Sequence, residues 1–174
     1  IYTPYRGLLI YHGLGSGKTC SSIAIAESHI TAASTVAFTE GLIQSKGVIV
    51  MTPASLRVNY FEELKKCGNP IYKKKQYWEF IPLSSENTKE MLSKILYIPV
   101  QYIQKANGAW MVDITKSSNY DTLSPIQKSD LDKQLNEMIH NKYQFINYNG
   151  IQKRHVTALT KNNTVNPFDN KVVI

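Results

Sequence analysis

The chain has 174 residues, a hydrophobic fraction of 43% and a formal net charge of +7. This length suffices for one domain with a hydrophobic core and is short for two. The composition excludes an intrinsically disordered chain, no apolar run is long enough to span a membrane, and two cysteines are too few for a disulfide framework. The positive charge favours acidic partners, nucleic acid first among them, although a solvated lysine-rich surface has the same composition.

The first segment with a chemical signature is a glycine-rich turn. Residues 8–11 (Leu-Leu-Ile-Tyr) have the composition of a strand, and residues 20–30 are compatible with a helix. Between them, residues 13–19 read Gly-Leu-Gly-Ser-Gly-Lys-Thr. In a strand–loop–helix unit of this kind, backbone N–H groups and the helix N-terminus attract polyphosphate oxygens. The segment predicts a nucleotide-binding loop; the alternative is a glycine-rich turn that binds nothing.

The individual residues of the loop have expected roles. Lys18 is predicted to reach the β- and γ-phosphates, and the Thr19 hydroxyl to ligate a magnesium ion, so these two are the candidate catalytic residues. The strict pattern has glycine five residues before Gly17, where this chain has His12. The residues predicted to contact the nucleotide are Gly13, Leu14, Gly15, Ser16, Gly17, Lys18, Thr19 and Cys20.

The next segments predict the fold class. Residues 33–45 show little periodicity and are predicted to form a loop, whereas the apolar run 47–51 predicts a strand buried on both faces. A helix is predicted from Thr52 to Lys66, with proline in its first turn and Gly68 at its end. Two successive strand–helix units predict a doubly wound α/β domain with a parallel sheet.

Residues 71–141 interrupt this alternation and are predicted to form an α+β insertion. Its Trp and Tyr residues have two possible roles: they can stack on nucleic-acid bases, or they can belong to a hydrophobic core, which is the more common role of aromatic residues in such patterns. Two strands that pair with each other are predicted at 76–81 and 109–112. Three helices are also predicted: the first starts at a capping box at 87–90, the second at Pro99, and the third at the pair Ser124-Pro125.

The sheet is predicted to resume at residues 143–148, and a short helix follows at 151–159. A last apolar strand begins at Lys171 and reaches the end of the chain. The core is therefore predicted to comprise residues 1–70 and 142–174. Because a domain rarely ends within a buried strand, we expect the chain to be part of a longer protein.

The groups that complete nucleoside triphosphate hydrolysis are not evident. Phosphoryl transfer needs an acidic residue for magnesium, a group that orients water and usually an arginine. The acidic residues Glu62, Glu63, Asp130 and Asp132 lie on predicted helices, where solvation or helix pairing is the expected role. None is assigned as the catalytic base.

The histidines and cysteines give little support to a function other than nucleotide binding. The four histidines show no paired metal-ligand spacing with each other or with the cysteines, so no zinc site is predicted. Cys20 is predicted to be a small buried helix residue, and both cysteines are expected to be reduced. The chain is accordingly expected to be soluble and intracellular, without a membrane partner.

Three segments, residues 11–20, 55–64 and 145–150, resemble one family of motors. Together with the Thr-Pro segment, they make the chain similar to lobe one of a superfamily 2 helicase. The similarity is closest to the helicases and early transcription factor ATPase subunits of poxviruses and giant nucleocytoplasmic DNA viruses. It implies a P-loop RecA-like parallel sheet flanked by helices, with ATP and Mg²⁺ as cofactors. It also implies that the protein is located in a virion or in the cytoplasm or nucleus of an infected cell.

The resemblance also implies a nucleic-acid site, because the Thr-Pro segment corresponds to a motif that contacts the nucleic-acid backbone. The candidate contacts are Thr52, Pro53, Ser55 and Arg57. Ordinary capping of a helix is the alternative reading of the same residues. DNA is expected before RNA, and a second helicase lobe and viral RNA polymerase or transcription factors are the further partners.

The predicted function is therefore the ATP-binding lobe of an ATP-dependent helicase or translocase, inactive as this chain alone. One alternative is a remodelling or restriction-type motor that does not unwind. The other is a nucleotide-switched transcription-initiation or scaffold subunit.

Overall fold

A computed structural model describes residues 7–13, 15–39, 47–169 and 171–174. The helices are α1 (Lys18–Thr39), α2 (Ala54–Cys67), α3 (Glu86–Leu96), α4 (Val100–Ala106), α5 (Pro125–Lys142) and α6 (Lys153–Leu159). The strands are β1 (Val48–Thr52), β2 (Tyr77–Pro82), β3 (Gly108–Asp113), β4 (Tyr143–Asn147) and β5 (Val172–Val173).

The main sheet is parallel, and its strand order is β4-β1-β5. Val48 pairs with Tyr143 on one side of β1 and with Val172 on the other. Val48, Ile49 and Val50 are fully buried, because β1 has neighbours at both edges and helices against its faces. The predicted buried strand and the predicted parallel α/β sheet are thus confirmed.

The segment between the two core parts contains a two-stranded antiparallel hairpin of β2 and β3, as predicted. The Asn119 side-chain amide accepts from Trp78 N at 2.8 Å and donates to Trp78 O at 2.9 Å. The Gln134 amide makes the same pair of bonds to the backbone of Trp110, both at 2.7 Å. Each amide satisfies strand groups that a hairpin edge leaves unpaired. Trp78 and Trp110 are buried, which confirms the core interpretation of these aromatic residues.

Helix α5 begins at the predicted signal. The Ser124 hydroxyl accepts from Gln127 N, and the Gln127 side chain accepts from Ser124 N, which completes a capping box. Its apolar stripe is fully buried, as the sequence predicts, and consists of Leu131, Leu135, Met138 and Ile139.

The N-cap of α3 differs from the prediction. Ser85, two residues before the predicted Asn87, accepts from Thr88 N at 3.2 Å, so the helix starts earlier. A serine one turn ahead of Thr88 provides the same acceptor as the predicted cap, and the sequence alone does not rank the two.

The predicted strand at residues 8–11 is wrong. The structure gives residues 7–13 no regular structure, and Leu8, Leu9 and Tyr11 are 73%, 87% and 94% exposed. An apolar run becomes a strand only where a sheet edge receives it. The edge strands of the main sheet are β4 and β5, and this run pairs with neither of them nor with the hairpin.

The predicted loop at 33–45 is also wrong in its first part. Helix α1 continues to Thr39, and residues 40–46 lie outside the described residues. Residues 31–39 contain three alanines, which favour a helix, and the missing amphipathic period on which the loop prediction rested does not exclude one.

A buried polar cluster joins α1 to the start of β4. Lys142 Nζ donates to Glu27 Oε2 at 2.8 Å, and the Tyr143 hydroxyl donates to Glu27 Oε1. All three side chains lie in the interior, and the Lys142 ammonium also faces the Tyr72 ring. Burial first, and then the charge of Glu27, raise the pKa of the Tyr143 hydroxyl well above its ordinary value. Tyr143 is therefore a neutral donor throughout the physiological range.

Removing the lysine of this cluster is expected to destabilise the fold strongly. Lys142→Met removes the ammonium that binds the buried Glu27 carboxylate, and breaking a buried pair costs about 3–5 kcal/mol of unfolding free energy. The control is Lys133→Met in the same helix, whose exposed pair with Asp130 contributes at most about 1 kcal/mol. Urea unfolding monitored by circular dichroism measures both. Equal losses in the two variants would contradict the assigned role of the buried pair.

Candidate functional site

The described part of the glycine-rich loop has the backbone that its glycines permit. Gly15 and Gly17 have φ values of +76° and +80°, in the left-handed region that side-chain-bearing residues rarely adopt. No atom lies within 4 Å of a Cβ built on either residue, so the loop borders open space. Leu14 lies outside the described residues.

The Lys18 side chain folds back over the loop. Its ammonium donates to Gly13 O at 2.8 Å and to His12 O at 3.1 Å, and the Ser16 hydroxyl donates to Gly13 O at 2.7 Å. These partners are exposed carbonyl groups, which can accept hydrogen bonds from water instead. An incoming phosphate therefore competes for Lys18 with neutral, solvated acceptors and not with a carboxylate.

The start of α1 has the electrostatic character of an anion site. Lys18 and Thr19 occupy its first turn, where backbone N–H groups have no partner within the helix. The first turn contains no acidic residue of its own, so no side chain within the helix start neutralises the positive end of the helix dipole. The loop and the helix start together can bind the oxygens of a polyphosphate.

Thr19 and Cys20 lie deeper than the loop. Both are half-buried, and the Thr19 carbonyl accepts from the Ser22 hydroxyl at 2.8 Å. Ser22 also shares a hydrogen bond with the Tyr60 hydroxyl at 3.1 Å, which connects α1 to α2. Burial, the largest cause, raises the pKa of Tyr60 above its ordinary value, so the hydroxyl remains protonated in this contact.

The expectation of two reduced cysteines is corrected by the structure. Cys20 and Cys67, 47 positions apart, form a disulfide that links the first turn of α1 to the last turn of α2. Cys20 is half-buried and not buried as predicted. Composition counts cysteines but does not tell which residues two packed helices bring into contact.

The position of this disulfide shows that the two predicted sites lie near opposite ends of α2. Helix α2 starts at the carboxyl end of β1, where Thr52, Pro53, Ser55 and Arg57 lie. Its 14 residues span about 20 Å before Cys67. Because Cys67 is bonded to Cys20, the glycine-rich loop lies near the far end of α2. The structure therefore does not bring the loop and the Thr-Pro segment together.

The members of the predicted nucleic-acid set differ in accessibility. Thr52 is 7% exposed and Pro53 is half-buried, whereas Ser55 and Arg57 are exposed. The Arg57 guanidinium lies 5.4 Å from the centre of the Phe145 ring. Such a cation–π contact orients the side chain and leaves its charge accessible.

An aromatic surface continues from Arg57 along α2. The Phe61 ring contacts that of His140 with centroids 4.9 Å apart, and the Lys65 ammonium lies 5.0 Å from the Phe61 centroid. Arg57, Val58, Phe61 and His140 line a small cavity of about 170 Å³. We call these four residues the Arg57 surface.

A larger cavity of about 500 Å³ lies at the carboxyl end of the parallel sheet. Apolar side chains, among them Met51, Ile146 and Phe168, form much of its lining. Asn147, next to this region on β4, has a buried side-chain oxygen without a hydrogen-bond partner. None of the predicted site residues that the structure describes lines this cavity.

The acidic residues discussed from the sequence pair with lysines. Glu62 pairs with Lys65 and Glu63 with Lys66, each three residues along α2. Asp130 pairs with Lys133, and Asp132 with Lys74. The predicted pairing role is thus confirmed. Glu63 also faces both cysteines, a contact that was not predicted. Its i,i+4 spacing from Cys67, which places both on one helix face, is the sequence signal for half of this contact.

Among the described residues, every helix is too short or too polar to cross a membrane.

Comparisons with known proteins connect the chain to viral helicases. Over 94 residues, 52% of its length, it is 35% identical to a protein of Acanthamoeba polyphaga mimivirus named an ATP-dependent RNA helicase. A second mimivirus protein with the same kind of name is 29% identical over 103 residues, 58% of this chain. The matched segments amount to only 14% and 8% of these relatives. The predicted resemblance to helicases of giant DNA viruses is confirmed at this level.

The other comparisons do not add a family or a fold. No family model matches the chain, and no solved structure matches it. The parallel α/β sheet is present, whereas the RecA-like arrangement implied by the resemblance is not confirmed. The two relatives are named for RNA and not for the expected DNA.

Replacing Gly17 by alanine is expected to disturb the loop without disrupting the fold. Its positive φ strains alanine by about 1–2 kcal/mol, because Cβ approaches the following carbonyl oxygen. Gly150→Ala is a matched control, since Gly150 has φ +81° and equally open surroundings. Thermal unfolding should show similar losses, whereas the affinity for inorganic tripolyphosphate should fall only in Gly17→Ala. An equal affinity loss in both variants would refute the loop as the anion site.

Proposed function

We propose that the chain is a nucleotide-binding part of an ATP-dependent helicase or translocase. The observation that carries the proposal is the glycine-rich loop before α1. Gly15 and Gly17 have positive φ, the described residues leave open space beside them, and the Lys18 ammonium donates to two exposed carbonyls. The names of the two mimivirus relatives support an ATP-dependent motor.

The residues present fit a magnesium nucleotide. When bound, Mg²⁺ neutralises charge on the phosphate oxygens. Thr19 offers a hydroxyl at the first turn of α1, and Lys18 offers an ammonium that exchanges carbonyl partners for phosphate oxygens. Gly13, Gly15, Ser16 and Gly17 supply backbone around the same space. Cys20 offers its backbone N–H in the first turn of α1, while its sulfur is bonded to Cys67 and fixes the position of the helix start.

The catalytic acid and the arginine that ATP hydrolysis requires are not assigned to residues of this chain. Glu62, Glu63 and Asp130 each pair with a lysine. We therefore propose that the chain binds nucleotide, and that turnover depends on a longer protein that supplies these groups.

We propose that the nucleic acid bound is RNA. Both relatives are named for RNA, and the net charge of +7 favours a polyanion. Arg57 and Ser55 are the exposed members of the predicted contact set, and the aromatic rings of the Arg57 surface provide a platform on which unpaired bases stack. The contact to the phosphate backbone is assigned to Arg57.

Replacing Lys18 tests the nucleotide site. Lys18→Ala removes the charged donor to the phosphates, which is expected to weaken binding about 10- to 100-fold. A fluorescent ATP analogue titrated into the chain with Mg²⁺ measures the affinity. Lys133→Ala, an exposed lysine on α5, is the control and should bind as the wild type. Binding that is unchanged in Lys18→Ala would refute the assignment.

Replacing Arg57 tests the nucleic-acid contact. Arg57→Ala is expected to weaken binding of single-stranded RNA and to lower the slope of log affinity against log salt concentration by about 0.7, the value for one phosphate contact on a single strand. Arg57→Lys keeps the charge and should keep the slope. Fluorescence anisotropy at several salt concentrations, with RNA and DNA of one sequence, measures both quantities. A slope that does not change in Arg57→Ala would place the contact elsewhere, and tighter binding of DNA would reverse the preference for RNA.

A further inference from the structure

Helices α1 and α2 bring two sulfurs and a carboxylate together at the end of α2. Glu63 Oε2 lies 3.5 Å from Cys20 Sγ and 4.0 Å from Cys67 Sγ. Among the described residues, these three form the one group of histidine, cysteine or acidic side chains with ligand atoms close enough to hold a metal ion. All three residues are half-buried, so an ion from solvent can reach them.

The donor set suits a zinc-type ion. Thiolate sulfur and carboxylate oxygen are both zinc ligands, with Zn–S near 2.3 Å and Zn–O near 2.0–2.2 Å. A tetrahedron with these bond lengths has a sulfur–oxygen edge of about 3.5–3.7 Å. The two sulfur–oxygen distances of 3.5 and 4.0 Å are close to this edge. Three protein ligands leave a fourth position for water.

The backbone and a neighbouring lysine prepare this geometry. Glu63 and Cys67 are four residues apart and lie on one face of α2, and α1 supplies Cys20 from the opposite side. Lys66 binds the other carboxylate oxygen, Oε1, at 2.8 Å. The carboxylate is thereby oriented with Oε2 toward the sulfurs, as an outer partner orients a metal ligand.

We propose that the reduced chain binds a zinc-type divalent cation through Cys20, Glu63 and Cys67. A small-molecule dithiol reduces the disulfide: two protein thiols form, and the dithiol is oxidised to its own disulfide. The cation then replaces the two thiol protons, which are released to solvent, and Glu63 ligates as carboxylate. The same two sulfurs are thus joined by a covalent bond in the oxidised chain and by a metal ion in the reduced one.

The site is independent of the proposed nucleotide function but lies directly behind the loop. Cys20 follows Thr19, and Cys67 ends α2, so either link fixes the first turn of α1 against α2. The exposed segment before the loop does not provide such a restraint. Oxidation and metal binding therefore restrain the same helix start by alternative chemistry.

Cobalt(II) titration of the reduced chain tests the site, because thiolate ligation gives cobalt an intense charge-transfer absorption. The chain is reduced with dithiol, which is then removed without oxygen. We expect a thiolate–cobalt band that saturates at one equivalent, is displaced by Zn²⁺ and is absent from the oxidised chain. Since thiols are largely protonated near neutral pH, about two protons should be released per ion.

Matched variants locate the ligands. Cys20→Ser and Cys67→Ser should each lose the band, and Glu63→Gln should weaken Zn²⁺ binding by at least about 10-fold. Glu62→Gln changes the adjacent carboxylate, which pairs with Lys65, and should bind as the wild type. Circular dichroism verifies that each variant is folded.

Several outcomes would overturn the proposal. A folded, reduced chain without a thiolate band would leave the cysteines as a disulfide pair only. A band that survives Cys20→Ser, or equal weakening in Glu62→Gln and Glu63→Gln, would place the ion on other ligands.

Discussion

The buried contact of Glu27 with Lys142 and Tyr143 is the constraint on which the arrangement of this chain depends. Glu27 lies on the helix that follows the glycine-rich loop, and its two partners lie where α5 passes directly into β4. A carboxylate in the interior needs both a cation and a hydrogen-bond donor, and few placements of α1 supply both. The contact therefore fixes α1 against the edge strand of the sheet.

The position of the glycine-rich loop follows from this placement and from the contact between α1 and α2. With Glu27 fixed beside Tyr143, the first turn of α1 lies near the end of α2, and Cys20 meets Cys67 there. The loop is consequently held from its helix side, while the preceding residues are exposed to solvent. The proposed polyphosphate site and the proposed thiol-based site thus occupy consecutive residues of one helix start and differ in the ligand each attracts.

The proposed nucleotide site and the proposed nucleic-acid site lie near different ends of α2. Arg57 lies on the Phe145 ring near the start of this helix, and the loop lies near its end, about 15 Å away by helix length. In the proposed motor, α2 is the rigid element shared by the two sites. Its packing against Phe145 of β4 connects both to the sheet.

The sequence by itself determined the elements whose signals are local. The buried β1, the hairpin of β2 and β3, the capping box at Ser124 and the buried stripe of α5 all follow from apolar periods and cap chemistry. The glycines at 15 and 17 and the lysine after them likewise define the loop, because these residues provide its backbone freedom and its charge. Tertiary structure decided the rest. Residues 8–11 have strand composition, yet neither the main sheet nor the hairpin receives them, and Cys20 meets Glu63 and Cys67 only because two helices pack together. Sheet partners and the neighbours of a side chain depend on long-range packing, which a local pattern does not contain.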